Sequence, residues 1–390
     1  MRAAATLLVA TAFASAARAA PPDELFDPLK SIEYDLYDFT PEDQAIWEAS
    51  RYSAHAVRLD LGSVTLKELF AVQEAQANLR ATPWLGFHLD VQDDGTREAE
   101  VARFAADVLF RVAKGVEIGV SGTPDVVKQD SALGGAILLT SPDRSRYAVV
   151  RLLDDAAFFN LQNPSGAHRD SAVLRAQTEA RWDSGPWSVW LRADLATPSD
   201  VRYAQAPPQG LQATSEQRSN VDAHLRWAEG RRAAGIRFTA RRLDSSRVEQ
   251  GQENALRRGF GYARAYVLVP VLPRLQFRGV ALAWREEARG RDAGAPYQLS
   301  RWDLGGRAGA VWAFEEQWRL EGGYARVHSA QTLAVSGDTL ASGSHDRWGD
   351  KAYASVRWQP RDRVILHFLL SHQVTTGTFG GFNGGFEVIF

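Results

Sequence analysis

Three consecutive segments of the chain keep a period of two that separates oily side chains from charged ones. In 171–182, Leu174, Ala176, Thr178, Ala180 and Trp182 fall on one face, and Arg175, Gln177, Glu179 and Arg181 on the other. In 186–196, Trp187, Val189, Leu191, Ala193 and Leu195 oppose Ser188, Trp190, Arg192 and Asp194. In 214–227, Val221, Ala223, Leu225 and Trp227 oppose Asp222, His224 and Arg226. Such a period belongs to a β-strand, whose successive side chains point to opposite faces. An arginine held at mid-depth in lipid costs about 2–4 kcal/mol, so the charged face must be the wet one. A sheet that is oily outside and wet inside is an all-β, closed antiparallel barrel in a membrane. No segment is long and apolar enough for a membrane helix, and lipid tolerates no unpaired sheet edge.

Residues 52–390 divide into about eighteen such segments, with sixteen as the alternative, and the connections alternate in length. Tight turns such as Ala81-Thr-Pro83, Asp183-Ser-Gly185, Ala228-Glu-Gly230 and Gln359-Pro-Arg361 follow even-numbered strands. Longer polar stretches, such as 197–213 and 329–346, follow odd ones. Short turns on one side and long loops on the other are the habit of outer-membrane barrels, with the short turns in the periplasm. Trp84, Trp182, Trp187, Trp227, Trp312, Trp318 and Trp358 all lie near the tight turns. Indole suits a headgroup boundary, so these seven are expected to form one membrane girdle. The faces of 273–286 resist assignment, because Leu275 and Phe277 are out of phase with Val280, Leu282 and Trp284; a bulge would reconcile them.

Arg2, the uncharged run 3–17 and the small-x-small pattern Ala17-Arg18-Ala19 read as a cleaved export signal over residues 1–19. The chain has no cysteine, which excludes disulfides, thiolate metal sites and a lipid-anchored cysteine. A net charge of −2 argues against a nucleic-acid partner. Residues 20–51 precede the first strand and are strongly acidic, with Lys30 the one base among 21–50. Three roles fit this periplasmic segment: a gate folded into the barrel, a dock for a periplasmic partner, or a solvated tail.

Eighteen strands enclose too wide a space for side chains alone to fill, so the default interior is an aqueous pore. The candidate lining residues are Arg175, Glu179, Arg181, Trp190, Arg192, Asp194, Asp222, Arg226, Arg237, Arg241, Arg264, Arg301, Asp303, Arg307, Arg319 and Arg357. Cross-strand salt bridges account for many of them singly. Collectively, an arginine-rich wall favours anionic or hydroxyl-rich solutes. Trp190, Tyr262, Tyr266 and Tyr353 share the inward phase, where they either fill space or stack on sugar rings.

The chain ends on Phe382, Gly384, Phe386, Val388 and Phe390, one face of a last strand that closes on a terminal aromatic. This resembles the assembly signal of bacterial outer-membrane proteins, with Phe382, Phe386, Val388 and Phe390 as the carrying residues. With strand parity and girdle, 52–390 resembles an outer-membrane porin, and by strand count it is similar to polysaccharide-export barrels such as the alginate-export porin. The resemblance implies outer-membrane lipid and the barrel-assembly machinery as partners. It also implies passive passage of a hydrophilic solute, polysaccharide export being the leading expectation. The chain lacks the helical-repeat domain of several export systems, so a separate periplasmic partner would engage residues 21–50. General diffusion porins and structural or motility-complex barrels are the alternatives. No nucleophile elbow, zinc-protease motif or phosphate loop is present, and no catalytic residue, cofactor or metal site is expected.

Overall fold

The computed structural model describes residues 29–37, 57–61, 73–93, 102–123 and, apart from short stretches in the connections, 131–389. Helix α1 (Lys30–Tyr37) comes first. The next strands are β1 (Val57–Leu61), β2 (Gln73–Thr82), β3 (Leu85–Asp93), β4 (Ala102–Ala113) and β5 (Val116–Thr123). Then come β6 (Ala132–Thr140), β7 (Tyr147–Asp155), β8 (Ala167–Arg169), β9 (Val173–Ser184) and β10 (Trp187–Ala196). The second half holds β11 (Ser199–Tyr203), β12 (Leu211–Glu229), β13 (Arg232–Glu249), β14 (Gln252–Leu272) and β15 (Leu275–Asp292). It ends with β16 (Ala295–Glu315), β17 (Trp318–Val335), β18 (Gly343–Arg361), β19 (Val364–Gln373) and β20 (Thr378–Ile389).

All these strands pair antiparallel, in sequence order, with two exceptions: β7 pairs with β9 and β10 with β12. The short β8 and β11 pair with each other outside that order, and β11 also pairs with β12. β20 pairs with β1, Leu59 facing Val388, so the pairing returns to its start through eighteen strands. Each expected strand corresponds to one of these, and β8 and β11 lie in connections read as loops.

Tight turns join the strands at one end. Gly185 and Gly230 sit there with φ of 56° and 58°, a left-handed conformation that costs glycine little and other residues more. Strand lengths then divide the ring. β2 to β10, leaving aside the three-residue β8, run 8–12 residues, enough to cross a bilayer at a tilt. β12 to β18 run 18–21 residues and continue far past it at the long-loop end.

The two faces differ as the period of two requires. On the outside, Leu152, Leu174, Ile236, Leu304 and many others stand exposed, while charged groups such as Arg151, Glu179, Arg264 and Lys351 are buried within. The segment 273–286 holds no bulge: β15 pairs with β16 without a break from Leu275 to Asp292. Phe277 faces out, and Val280, Leu282 and Trp284 all face in. The conflict in phase reflects an apolar patch on the inner wall, and α1 covers part of it.

Candidate functional site: the inner wall and its helix

Eight residues make a helix of about 12 Å, too short to persist alone in water, so α1 depends on what it packs against. Leu29, Ile32 and Leu36, spaced three and four apart, lie on one stripe and are buried. They join a cluster with Phe260, Tyr262, Leu282, Trp284, Val327 and Tyr353 from the inner wall. Tyr34 sets its edge against Tyr262 at 4.9 Å and Trp284 at 5.3 Å. The helix thus lies inside the ring against β14 to β18.

Its polar side chains meet the wall's charges. Asp35 is buried and receives the Arg307 Nε at 2.7 Å and the Tyr262 hydroxyl at 2.8 Å; the Arg264 Nε stands 3.0 Å away. Burial alone would raise the Asp35 carboxyl, but Arg264 and Arg307, helped by the Tyr262 hydroxyl, outweigh it and hold it below the usual carboxylate range. Lys351 donates to Glu33 at 2.5 Å. Lys30 donates to Glu286 at 2.7 Å and lies over the Trp284 ring. Burial lowers Lys30 to about 7, with the charge of Glu286 opposing that shift and Arg258 and Arg301 adding to it.

The opposite wall is bridged by its own side chains. Arg151 on β7 and Asp107 on β4 are fully buried partners at 2.6 Å, although two strands lie between theirs. Arg192 on β10 reaches Asp90 on β3 at 3.5 Å and Glu179 at 3.4 Å. The Tyr147 hydroxyl donates to Glu179 at 2.6 Å, and Arg80 on β2 meets Glu117 on β5 at 2.5 Å. Leu109, Leu138 and Val149 fill the space beside them.

The other inward candidates are placed as follows. Arg175 forks onto Asp194 with bonds of 2.8 and 2.6 Å, and Arg181 pairs with Asp183. Trp190 is buried beside Arg192. Arg237 lies 3.8 Å from Asp222, which also accepts from Thr239. Arg241 lies over Phe260 and donates to the Tyr34 hydroxyl at 3.5 Å. Arg301 and Asp303 pair along one strand at 2.7 Å. Arg226 is half-buried, and Arg319 stands beside Arg357 in register near the tight-turn end.

On the outer face, Trp84, Trp182, Trp187 and Trp312 are about half exposed near the tight turns. Trp187 faces Trp227 across a strand pair, and Trp318 stacks on Trp358 at 5.2 Å. Phe382 lies against Phe368. The side chains of Phe386 and Val388, the terminal Phe390, the signal segment 1–19 and residues 20–28 and 38–51 lie outside the described residues.

Sequence reasoning missed the docking set Leu29, Ile32 and Leu36, and the inward turn of Val280, Leu282 and Trp284. Oily residues on a face that should be wet were the available signal for something covering them.

An all-antiparallel ring, oily outside and charged within, is an outer-membrane β-barrel. No protein-family model matches the chain, and no curated protein matches it in sequence. Among solved structures it is similar to a loop-deleted OmpT, an outer membrane protein of Vibrio cholerae, at 11% identity, covering 86% of this chain and 97% of that one, with a TM-score of 0.39. It is also similar to a bacterial polysaccharide outer membrane secretin (9% identity, 87% and 98% covered, TM-score 0.40). A third is OccAB3 of Acinetobacter baumannii (10% identity, 86% and 98% covered, TM-score 0.34). The assignment to this class rests on the chain's own pairing and its two faces.

Proposed function

We propose that the chain is a closed, eighteen-stranded outer-membrane channel for a hydrophilic solute, held shut by α1, and that its cargo is an anionic polysaccharide leaving the cell. The observation that carries this reading is the seating of Asp35 and Glu33 on Arg264, Arg307 and Lys351. The helix offers the wall the carboxylates that an anionic chain would bring, so it occupies the place of the cargo. Opening requires the helix to leave. A periplasmic partner that binds residues 21–50 would draw it out, and the assembly signal at Phe382, Phe386, Val388 and Phe390 would serve insertion by the barrel-assembly machinery. The wall residues bind and steer; none is given a catalytic role.

The test is planar-bilayer current through a variant lacking residues 21–50. The reading predicts steady current that an anionic oligosaccharide blocks at lower concentration than a neutral one of equal length. Equal block by both would leave a general porin. A variant that inserts but passes no current would favour a structural barrel, the reading that the buried apolar cluster around Ile32 supports.

A further inference from the structure

The outer face carries a second cluster of charged side chains, away from the helix and the inner wall. On β16, Trp312 and Trp302 are both about half exposed, and on β18 Trp358 and Trp348 repeat the same spacing of ten positions. Ten residues rise about 33 Å along a strand. At a tilt near 40° that is about 25 Å of height, the thickness of an outer-membrane barrel's apolar band. Trp302 and Trp348 therefore mark the membrane edge at the long-loop end, opposite the girdle.

At that edge the wall becomes cationic on three neighbouring strands. Arg285 stands level with Trp302 in the pairing, and Arg289 and Arg291 continue upward on the same face of β15. On β14, Arg257 lies opposite Arg289, and on β13 Arg242 lies opposite Gly259. Arg285, Arg257 and Arg242 are 77%, 61% and 59% exposed. Two carboxylates lie among these five arginines: Asp244 pairs with Arg242 and Arg257, and Glu287 with Arg285. The patch keeps a positive excess.

Its centre is bare. Gly259 and Gly261 point outward, since Phe260 and Tyr262 between and beside them are buried within. A β-carbon added at Gly259 would come no closer than 3.6 Å to any atom, and one at Gly261 would meet only the edge of Phe238 at 4.0 Å. The result is a dent with a glycine floor and an arginine rim. Below it, Ile236 and Phe238 are exposed and apolar.

We infer that this dent binds the phosphate-bearing headgroup of an outer-leaflet lipid, phosphate on Arg242, Arg257 and Arg285, acyl chains along Ile236 and Phe238. The inference rests on the membrane-spanning reading above. Exposed guanidiniums at headgroup depth meet phosphate as a bidentate partner, and the nearby hydrocarbon sets a lipid apart from a free anion.

The test uses the full chain in detergent, with three probes scored by native mass spectrometry: an acylated disaccharide bearing two phosphates, the same glycolipid without phosphate, and inorganic phosphate. The phosphorylated glycolipid should be retained. Combined Arg242→Gln, Arg257→Gln and Arg285→Gln substitution should weaken it at least tenfold. Gly259→Leu, which fills the dent and keeps every charge, should weaken it comparably and guards against misfolding of the triple variant. Equal binding of the glycolipid without phosphate, displacement by inorganic phosphate at matched concentration, or retention in both variants would each overturn the assignment. Failure of the purified chain to insert into vesicles would overturn the membrane reading and this site together; insertion without lipid preference would overturn this site alone.

Discussion

The two halves of the barrel solve one problem in different ways. In the short-strand half, β2 to β10, side chains on strands that are not neighbours meet across the interior: Arg151 with Asp107, Arg192 with Asp90, Arg80 with Glu117. In the long-strand half, β12 to β18, the wall is met by α1: Arg264 and Lys351 meet carboxylates on that helix, and Arg307 is shared between Asp35 on the helix and Glu321 on β17. The first set of partners is built into the wall, whereas the second arrives on a segment joined to it by a single connection. Buried charge has to be paired in both halves, but only the second pairing can be undone without unfolding a strand.

The largest contrast should come from removing one carboxylate on each side. Asp107→Ala leaves Arg151 buried without its partner, at a cost of about 3–5 kcal/mol, read as a lower urea midpoint for the folded barrel. Asp35→Ala should leave that midpoint nearly unchanged, because the helix can leave and let water reach Arg264 and Arg307. An equal loss in both variants would erase the distinction between wall and plug.

Truncating the helix's apolar stripe comes next. Ile32 is fully buried, and Ile32→Ala should weaken docking by about 2–4 kcal/mol, seen as more frequent channel openings with unchanged barrel stability.

The pH dependence separates the halves further. The docked Lys30 sits at about 7, below its ordinary value of 10.5, so between those limits the undocked helix binds more protons than the docked one. Docking therefore strengthens as pH rises from about 7 to 10.5, by roughly 1.4 kcal/mol per unit, and is level below 7. Asp35 is also shifted down on docking, in a lower window, so its contribution is present above 3.8 and is lost as pH falls below that value. Mean current should fall on raising the pH from 7 to 9, and Lys30→Met should flatten the response. Glu286, Arg258 and Arg301 face Lys30 and remain in that variant. The smallest effect belongs to Tyr34→Phe, which removes a long 3.5 Å bond from Arg241 and should change opening by about 0.5 kcal/mol.

Much of the wall was legible in the sequence because β9, β10 and the lower part of β12 cross lipid, where each position is sorted by solvent. Legibility faded where that sorting stops. The sequence places strands at 214–227 and 273–286, whereas β12 runs Leu211–Glu229 and β15 Leu275–Asp292. Beyond the membrane edge both faces are wet, and the period of two loses its contrast. β8 and β11, three and five residues long, are too short to show a period at all. The inward charges at Arg264, Arg301 and Arg307 could be read singly, but their partners could not. Arg192 meets Asp90 from a strand far off in the ring, and Arg307 meets Asp35 from the far end of the chain. Those are matters of closure and docking, which no local pattern carries. Leu29, Ile32 and Leu36 sit in a run of acids where three oily residues look incidental; only the oily phase of Val280, Leu282 and Trp284 hinted at their destination.

The chain's lack of cysteine permits the most direct test of the helix inside the barrel. Ser31 is fully buried on α1, and Thr376 is exposed in the turn between β19 and β20. With the protein in vesicles at neutral pH, Thr376→Cys should react readily with a membrane-impermeant maleimide and Ser31→Cys should react at least tenfold more slowly. Equal rates at the two positions would mean that the helix does not occupy the barrel.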